Sequence, residues 1–276
     1  MGNRVWLVTG ASRGIGAEIA KAVLATGDTL IAAARTPSTL AFLGSSDRLL
    51  PVRLDVTDSA QAADAVAAGI ERFGQIDILV NNAGISFLGA VEETSADHVK
   101  RLFETNVFGL LNVTRAVLPH MRGRRRGHIV NIASVAGYSG YAGFGVYSGT
   151  KFAVEGLSEA LHLELAPLGV NVTIVEPGFF RTDILDHATS LVEADIRFAD
   201  YDATAGAVRA FVPQINHNQP GDSMKLAYAL IELANAPHPP LRLPLGTDCL
   251  QRIAEKDAVV QRERESWRAV AASTDV

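Results

Sequence analysis

Short apolar runs alternate with amphipathic stretches along most of this chain. Arg4 to Val8 contains Val-Trp-Leu-Val and reads as a strand. From Gly14 to Thr26, Ile15, Ile19 and Val23 recur every four residues, the spacing of one helix face, and Gly27 supplies a stop. Thr29 to Ala34 and Leu49 to Leu54 read as two more strands, the second weakened by Pro51, which has no N–H for a ladder. Thr57 or Asp58 caps a helix that sets Val66, Ile70 and Phe73 on one face and ends at Gly74. Further on come a strand at Asp77–Val80, a long helix at Ala96–Met121 and a strand at His128–Ile132. A helix at Tyr147–Ala166 follows, then strands at Asn171–Val175 and Leu241–Leu245.

Strands that are apolar at consecutive positions are buried on both faces, and helices must cover them. The pattern therefore predicts an α/β fold of one domain over residues 1–276: a doubly wound parallel seven-stranded sheet with helices on both faces. Two segments fall outside the alternation. Ile184 to Gly221 is too long for a connector and reads as a substrate lid. Residues 248–276 read as a charged C-terminal helix and tail.

Composition narrows the classes. The 276 residues are 48% hydrophobic and 20% charged, with a formal net charge of -5. That balance argues against a nucleic-acid partner. No apolar run is long enough for a membrane span. The single cysteine, Cys249, excludes an internal disulfide. The start goes straight into a strand without the regions of a signal peptide, so a cytoplasmic protein is expected. His187, His217 and His238 lie in loops without ligand spacing, and no metal is expected. The basic run Arg122–His128 reads as a solvated loop.

Chemistry enters after the first strand. Gly10, Gly14 and Gly16, with Ser12, Arg13 and Ile15 among them, lie between a strand and a helix. Glycines permit a tight turn close to a diphosphate, and the helix N-terminus offers it free N–H groups. An NAD site would carry an acid at the end of the second strand. This chain has Ala34 and then Arg35 there, and Arg13 in the loop, which favours the 2′-phosphate of NADP(H) over NAD(H). Tyr147 and Lys151 are four apart on a helix, so they share a face. An ammonium beside the phenol is expected to lower its pKa, and Ser134 can hold a substrate oxygen beside it. Tyr141 and Phe144, just before Tyr147, are candidates to line the substrate, and Phe179–Phe180 is packing, pocket wall or both.

Taken in order, the glycine loop, Asn81-Asn82-Ala83-Gly84, Asn106, Ser134, Tyr147-x3-Lys151, and Pro177-Gly178 with Thr182 resemble the short-chain dehydrogenase/reductase family over about residues 4–183. The loop spacing resembles its single-domain, Rossmann-like branch. The ending Pro240–Asp248 lacks the Val-Asp-Gly-Gly of many members and looks more like the hydroxysteroid- and retinol-dehydrogenase-like relatives. The resemblance implies Tyr147 as general acid or base, Lys151 on the nicotinamide ribose, Ser134 on the carbonyl and Asn106 holding a relay water. It implies Gly10, Ser12, Arg13, Gly14, Ile15 and Gly16 around the diphosphate, and Asp55 and Val56 at the adenine. Asn82, Ala83 and Gly84 would lie by the adjacent ribose, and Pro177, Gly178 and Thr182 by the nicotinamide. An NADP(H)-dependent ketone reductase or secondary-alcohol dehydrogenase for a mostly apolar small molecule is the expected function. The rivals are an inactive NADP(H)-binding regulator or scaffold, and a dehydratase or epimerase of the same fold. Apolar residues beyond one stripe (Val107, Leu110, Leu111, Val154, Leu157, Leu161), with helix pairing known in the family, imply a homodimer or homotetramer.

Overall fold

The computed structural model describes residues 4–186 and 190–276. In chain order its strands are β1 (Val5–Thr9), β2 (Thr29–Ala34), β3 (Leu49–Arg53), β4 (Ile78–Asn81), β5 (Ser86–Leu88), β6 (Gly127–Ile132), β7 (Val170–Pro177), β8 (Leu191–Glu193) and β9 (Arg242–Leu245). All but β5 and β8 form one parallel sheet in the order β3-β2-β1-β4-β6-β7-β9. Pro51 is tolerated because β3 is an edge strand.

The sheet is covered on both faces, as the sequence predicts. Trp6 and Val8 pack with Ile19 and Val23 of α1 (Gly14–Ala25). Val5 and Leu7 point the other way, onto Val66 of α2 (Ser59–Phe73). Fully burying such side chains contributes roughly 1.5–3 kcal/mol each, which makes the sheet the rigid base under the loops. Helix ends follow local chemistry: Asp58 Oδ1 accepts from the N–H of Ala60 at 2.9 Å and Gln61 at 3.1 Å, and Gly74, with φ of 76°, closes α2.

The expected helix over Ala96–Met121 is interrupted. It comprises α3 (Ala96–Phe103), a π-turn at Glu104–Phe108 and α4 (Gly109–Arg124). Tyr147 and Lys151 lie on α5 (Gly145–Leu165). Three of the residues expected at an outer face belong to the interior: Val107, Leu110 and Val154 are buried, and the exposed apolar groups are Phe108, Phe152 and Leu163 instead.

The segment read as a lid has its own structure. β8 pairs in parallel with β5, and α6 (Ala207–Ile215) packs Val212 against Leu88, Leu185 and Leu191. Glu93 ties it down: one oxygen accepts the Phe198 N–H at 3.0 Å, and the other accepts from the Ala90 N–H at 2.9 Å and Arg209 at 2.7 Å. Burial raises the Glu93 pKa, but these donors outweigh it and hold the carboxyl below its ordinary value. The periodic reading missed α7 (Ser223–Asn235), whose Leu226 and Leu230 pack on the α1 side of the sheet. The C-terminal region forms α8 (Thr247–Ser266) and α9 (Arg268–Ala272).

Candidate active site

β1 and β4 are neighbours, yet their helices leave for opposite faces, α1 to one side and α4 to the other. Such a switch opens a crevice beyond the C-terminal ends of the strands. A cleft of about 870 Å³ lies there. Gly10, Ser12, Arg13, Gly14 and Ile15 line it after β1. Arg35, Asp55 and Val56 line it on the β2–β3 side, and Asn82, Ala83 and Gly84 after β4. Ser134, Tyr147 and Lys151, with Pro177, Gly178 and Thr182, line it on the β6–β7 side. Gly16, Asn106, Tyr141 and Phe144 do not.

The glycine loop is shaped for close approach. Gly10 and Gly14 have φ of 65° and 53°, where a side chain is strained. Arg13 precedes α1, and no side chain caps that helix and no acid sits in its first turn. The first N–H groups of α1 therefore have no intrahelical partner beside the cleft. Asn82 braces the loop: its amide donates to the carbonyls of Thr9 at 2.9 Å and Gly10 at 3.2 Å, and its N–H to the Thr9 hydroxyl at 2.9 Å.

Around the phenol, geometry and electrostatics differ in part from expectation. Ser134 starts a short turn by accepting the Ala136 N–H at 3.1 Å, and its hydroxyl is hydrogen-bonded to Tyr147. Part of the tyrosine faces the cleft, but the protein around its hydroxyl pushes the phenol up to about 12, with the Ser134 bond opposing. The expected lowering by Lys151 is not seen. Its Nζ donates to the Ile132 carbonyl at 2.8 Å and stands 5.8 Å from the ring centroid, over the ring. Burial brings Lys151 down to about 8, against the charge of Glu155.

Asn106 lies behind the cleft in the π-turn, a local irregularity frequent at functional sites. Its oxygen accepts the Ile85 N–H at 2.9 Å, and its amide donates to the Ile85 carbonyl at 3.0 Å and the Thr150 hydroxyl at 3.1 Å. The amide thus joins the chain after β4 to α5. Tyr141 meets Phe179 edge-on at 6.2 Å and lies under Arg252 at 4.9 Å, and Phe144 meets the Tyr147 ring at 6.3 Å. Phe179 and Phe144 both pack against the Leu88–Val212 cluster, and Phe180 lines the cleft.

Sequence reading missed Thr36 and Thr39 beside Arg35, and Lys100 and Arg101 of α3, all of which line the cleft. A basic pair on a helix is too common a signal to have found them. The basic run is partly structural, since Arg124 donates to Asp77 at 3.0 Å and to Gln75 at 2.8 Å. Cys249 is buried, its thiol donating to the Glu176 carbonyl at 3.0 Å. His217 lies with Asp183 and Asp186 in a group within 4.8 Å, its Nε2 3.7 Å from an Asp186 oxygen. His187 lies outside the described residues.

Comparison with known proteins agrees with this geometry. The short chain dehydrogenase family matches residues 4–193. The oxidoreductase BOA17 of Botryotinia fuckeliana is 36% identical over 268 residues, 96% of this chain and 97% of its own. The 3-ketodihydrosphingosine reductase of Bacteroides thetaiotaomicron is 34% identical over 244 residues, 88% of each. A short-chain dehydrogenase from Streptomyces avermitilis superposes with a TM-score of 0.92 at 41% identity, covering 100% of both chains. ElxO with NADP bound gives 0.74 at 27% identity, covering 91% of this chain and 100% of that one. A Burkholderia phymatum short chain dehydrogenase/reductase in complex with NAD gives 0.79 at 28%, covering 94% and 95%.

Proposed function

The chain belongs to the short-chain dehydrogenase family and is an oxidoreductase of that family, and from that premise we propose that it is an NADP(H)-dependent reductase of ketones, or dehydrogenase of secondary alcohols, for mostly apolar small molecules. The observation that carries this reading is the meeting of Ser134, Tyr147 and Lys151 in one cleft with the glycine loop. An inactive binder would have no use for a phenol, a hydroxyl and an ammonium gathered there.

The cleft fits a dinucleotide. The uncapped start of α1 suits the diphosphate, and the cleft runs from Arg35 across the switch point to Tyr147. When bound, the nicotinamide supplies or takes the hydride. The chain does the rest. Ser134 orients the substrate oxygen, and Tyr147 gives it a proton in reduction or takes one in oxidation. Lys151 holds the nicotinamide ribose, its ammonium fixed by the Ile132 carbonyl above the Tyr147 ring. The Asn106 amide is spent on Ile85 and Thr150, so a relay water would be held by its main-chain carbonyl. The lid over 184–221 brings the Leu88–Val212 cluster beside Phe144, which suits an apolar substrate. A 3-ketodihydrosphingosine reductase among the relatives supports reduction of a ketone. Among the described residues no helix is long and apolar enough to cross a membrane. A cytoplasmic homodimer or homotetramer completes the reading, with Phe108, Phe152 and Leu163 as the faces that pair. Oxidation of NADPH against a panel of ketones tests the function: turnover of at least one apolar ketone is expected, and none with any of them would overturn it.

Cofactor preference gives a second test. Guanidinium groups bind phosphate bidentately, and a carboxylate at the same place repels it. One such contact gives roughly a 10–150-fold preference for NADPH. Arg35 is exposed, so salt reduces the gain. Ala34→Asp with Arg35→Ala is expected to reverse the ratio of kcat/KM for NADPH and NADH. A wild type that already prefers NADH would remove Arg13 and Arg35 from this role.

A further inference from the structure

Two buried carboxyls lie next to this machinery and have no part in it so far. Glu155 follows Lys151 by one turn on α5, and Glu176 is on β7. Their exposures are 6% and 1%. Arg242 of β9 reaches between them, Nη2 at 3.3 Å from Glu155 and Nε at 3.3 Å from Glu176, and also pairs with the exposed Glu159. With ionised carboxylates, neither oxygen of Glu155 and not Oε1 of Glu176 has an aligned hydrogen bond. The two carboxyls face one another, a contact that becomes a hydrogen bond only when one of them carries a proton.

Other groups also face the pair. Lys151 does so from α5, Cys249 from α8, and Tyr138 from the turn after β6, while Glu159 reaches the shared Arg242. Burial and then Glu176 push Glu155 up to about 8, and burial raises Glu176 as well. Two bare carboxylates out of water with one shared guanidinium would be costly. Like charges in contact do not both ionise near neutrality.

We propose that Glu155 is a positioning residue for the reaction: it carries the proton of a buried Glu155–Glu176 pair, and on releasing it to solvent its carboxylate, one helical turn from Lys151, acts through space to keep that ammonium charged on the Ile132 carbonyl. This rests on the functional reading above. With Glu155 protonated, the charges of Glu155, Glu176 and Arg242 sum to zero, and proton release leaves one negative charge. That charge appears as the pH rises, in the range where burial would otherwise strip Lys151 of its proton. Lys151 thereby stays cationic further into alkaline solution than a lone buried lysine would.

NADPH binding by the full-length protein, followed by fluorescence from pH 6 to 10, tests this without a known substrate. Within each protein the reading is the ratio of Kd at pH 9 to Kd at pH 6. Glu155→Gln is expected to raise that ratio about tenfold over wild type, equivalent to an alkaline limb about one pH unit lower. Glu155→Asp should restore part of it. Glu176→Gln also takes one negative charge out of the alkaline pair, so its ratio should rise too, by less than in Glu155→Gln because Glu176 is not the carboxyl one turn from Lys151, and a wild-type ratio in this variant overturns the proposal if Glu155→Gln does not fold. Melting adds a readout free of cofactor. A carboxyl whose pKa is raised on folding stabilises fully below its ordinary value and loses that stabilisation as pH rises through about 8. The fall in Tm over that range should flatten in Glu155→Gln. An equal loss of affinity at every pH, or an unmoved limb, would overturn the proposal alone. Failure to bind NADPH or NADH at any pH would overturn the functional reading and this proposal with it.

Discussion

Tyr147→Phe is expected to lower turnover at least ~100-fold, the scale of losing a general acid or base, with NADPH affinity nearly kept. The ring that meets Phe144 edge-on remains, and only the hydroxyl bonded to Ser134 goes. The phenol near 12 also fixes the sign of the pH dependence. A group with so high a pKa stays protonated through neutrality, so it serves as an acid over the whole working range. Reduction by the wild type should show no loss from Tyr147 itself until strongly alkaline solution. Oxidation needs the phenolate and should speed up as pH rises. In Tyr147→Phe the rise that the phenol supplies disappears, and Lys151, brought down to about 8, is the group left to ionise there. Rates in both directions from pH 6 to 10, with any ketone and alcohol pair the protein turns over, check both statements. Turnover close to wild type would take Tyr147 out of the mechanism. A retained rise of oxidation with pH would assign the base to another group.

The contrast between ring and hydroxyl shows what a sequence can carry. The spacing of Tyr147 and Lys151 is a property of one helix, and the structure places both in the cleft. The energy of the phenol depends on what the rest of the fold packs around it, and on where Lys151 spends its ammonium, here on the Ile132 carbonyl. Neither is local. The same division holds in the fold. β1 is legible because Trp6 and Val8 face one side and Val5 and Leu7 the other, all apolar. The π-turn at Glu104–Phe108 is not, since the apolar period barely changes across it. β5 and β8 are three residues each, too short for alternation to show, and they exist by pairing with one another. Glu93 and Arg209 are 116 residues apart, so only the folded lid brings them together.

Gly16→Ala is expected to weaken NADPH binding roughly 10–150-fold, the scale of losing one hydrogen bond to a charged group. Two local effects oppose each other. Alanine is the better helix former by about 1 kcal/mol, and Gly16 is in the first turn of α1, so propensity alone makes the variant more stable. Sterics say the reverse. A Cβ there would lie 2.3 Å from the Gly10 carbonyl oxygen and 2.5 Å from the Asn82 amide nitrogen. The first is main chain and cannot swing aside. The second is held by the carbonyls of Thr9 and Gly10. The start of α1 must therefore move away from the loop, and the N–H groups that would meet the proposed diphosphate move with it. Overpacking of this kind costs about 1–3 kcal/mol, which exceeds the propensity gain, so Tm should fall. Gly123→Ala is the control: it lies on the exposed side of α4, and a Cβ there meets nothing within 4 Å. Propensity acts unopposed at that site, so its Tm should rise while NADPH affinity stays unchanged. Thermal melts and NADPH titrations of both variants decide the matter. If Gly16→Ala melts above wild type and binds NADPH normally, the glycine is there for neither the close contact nor the cofactor.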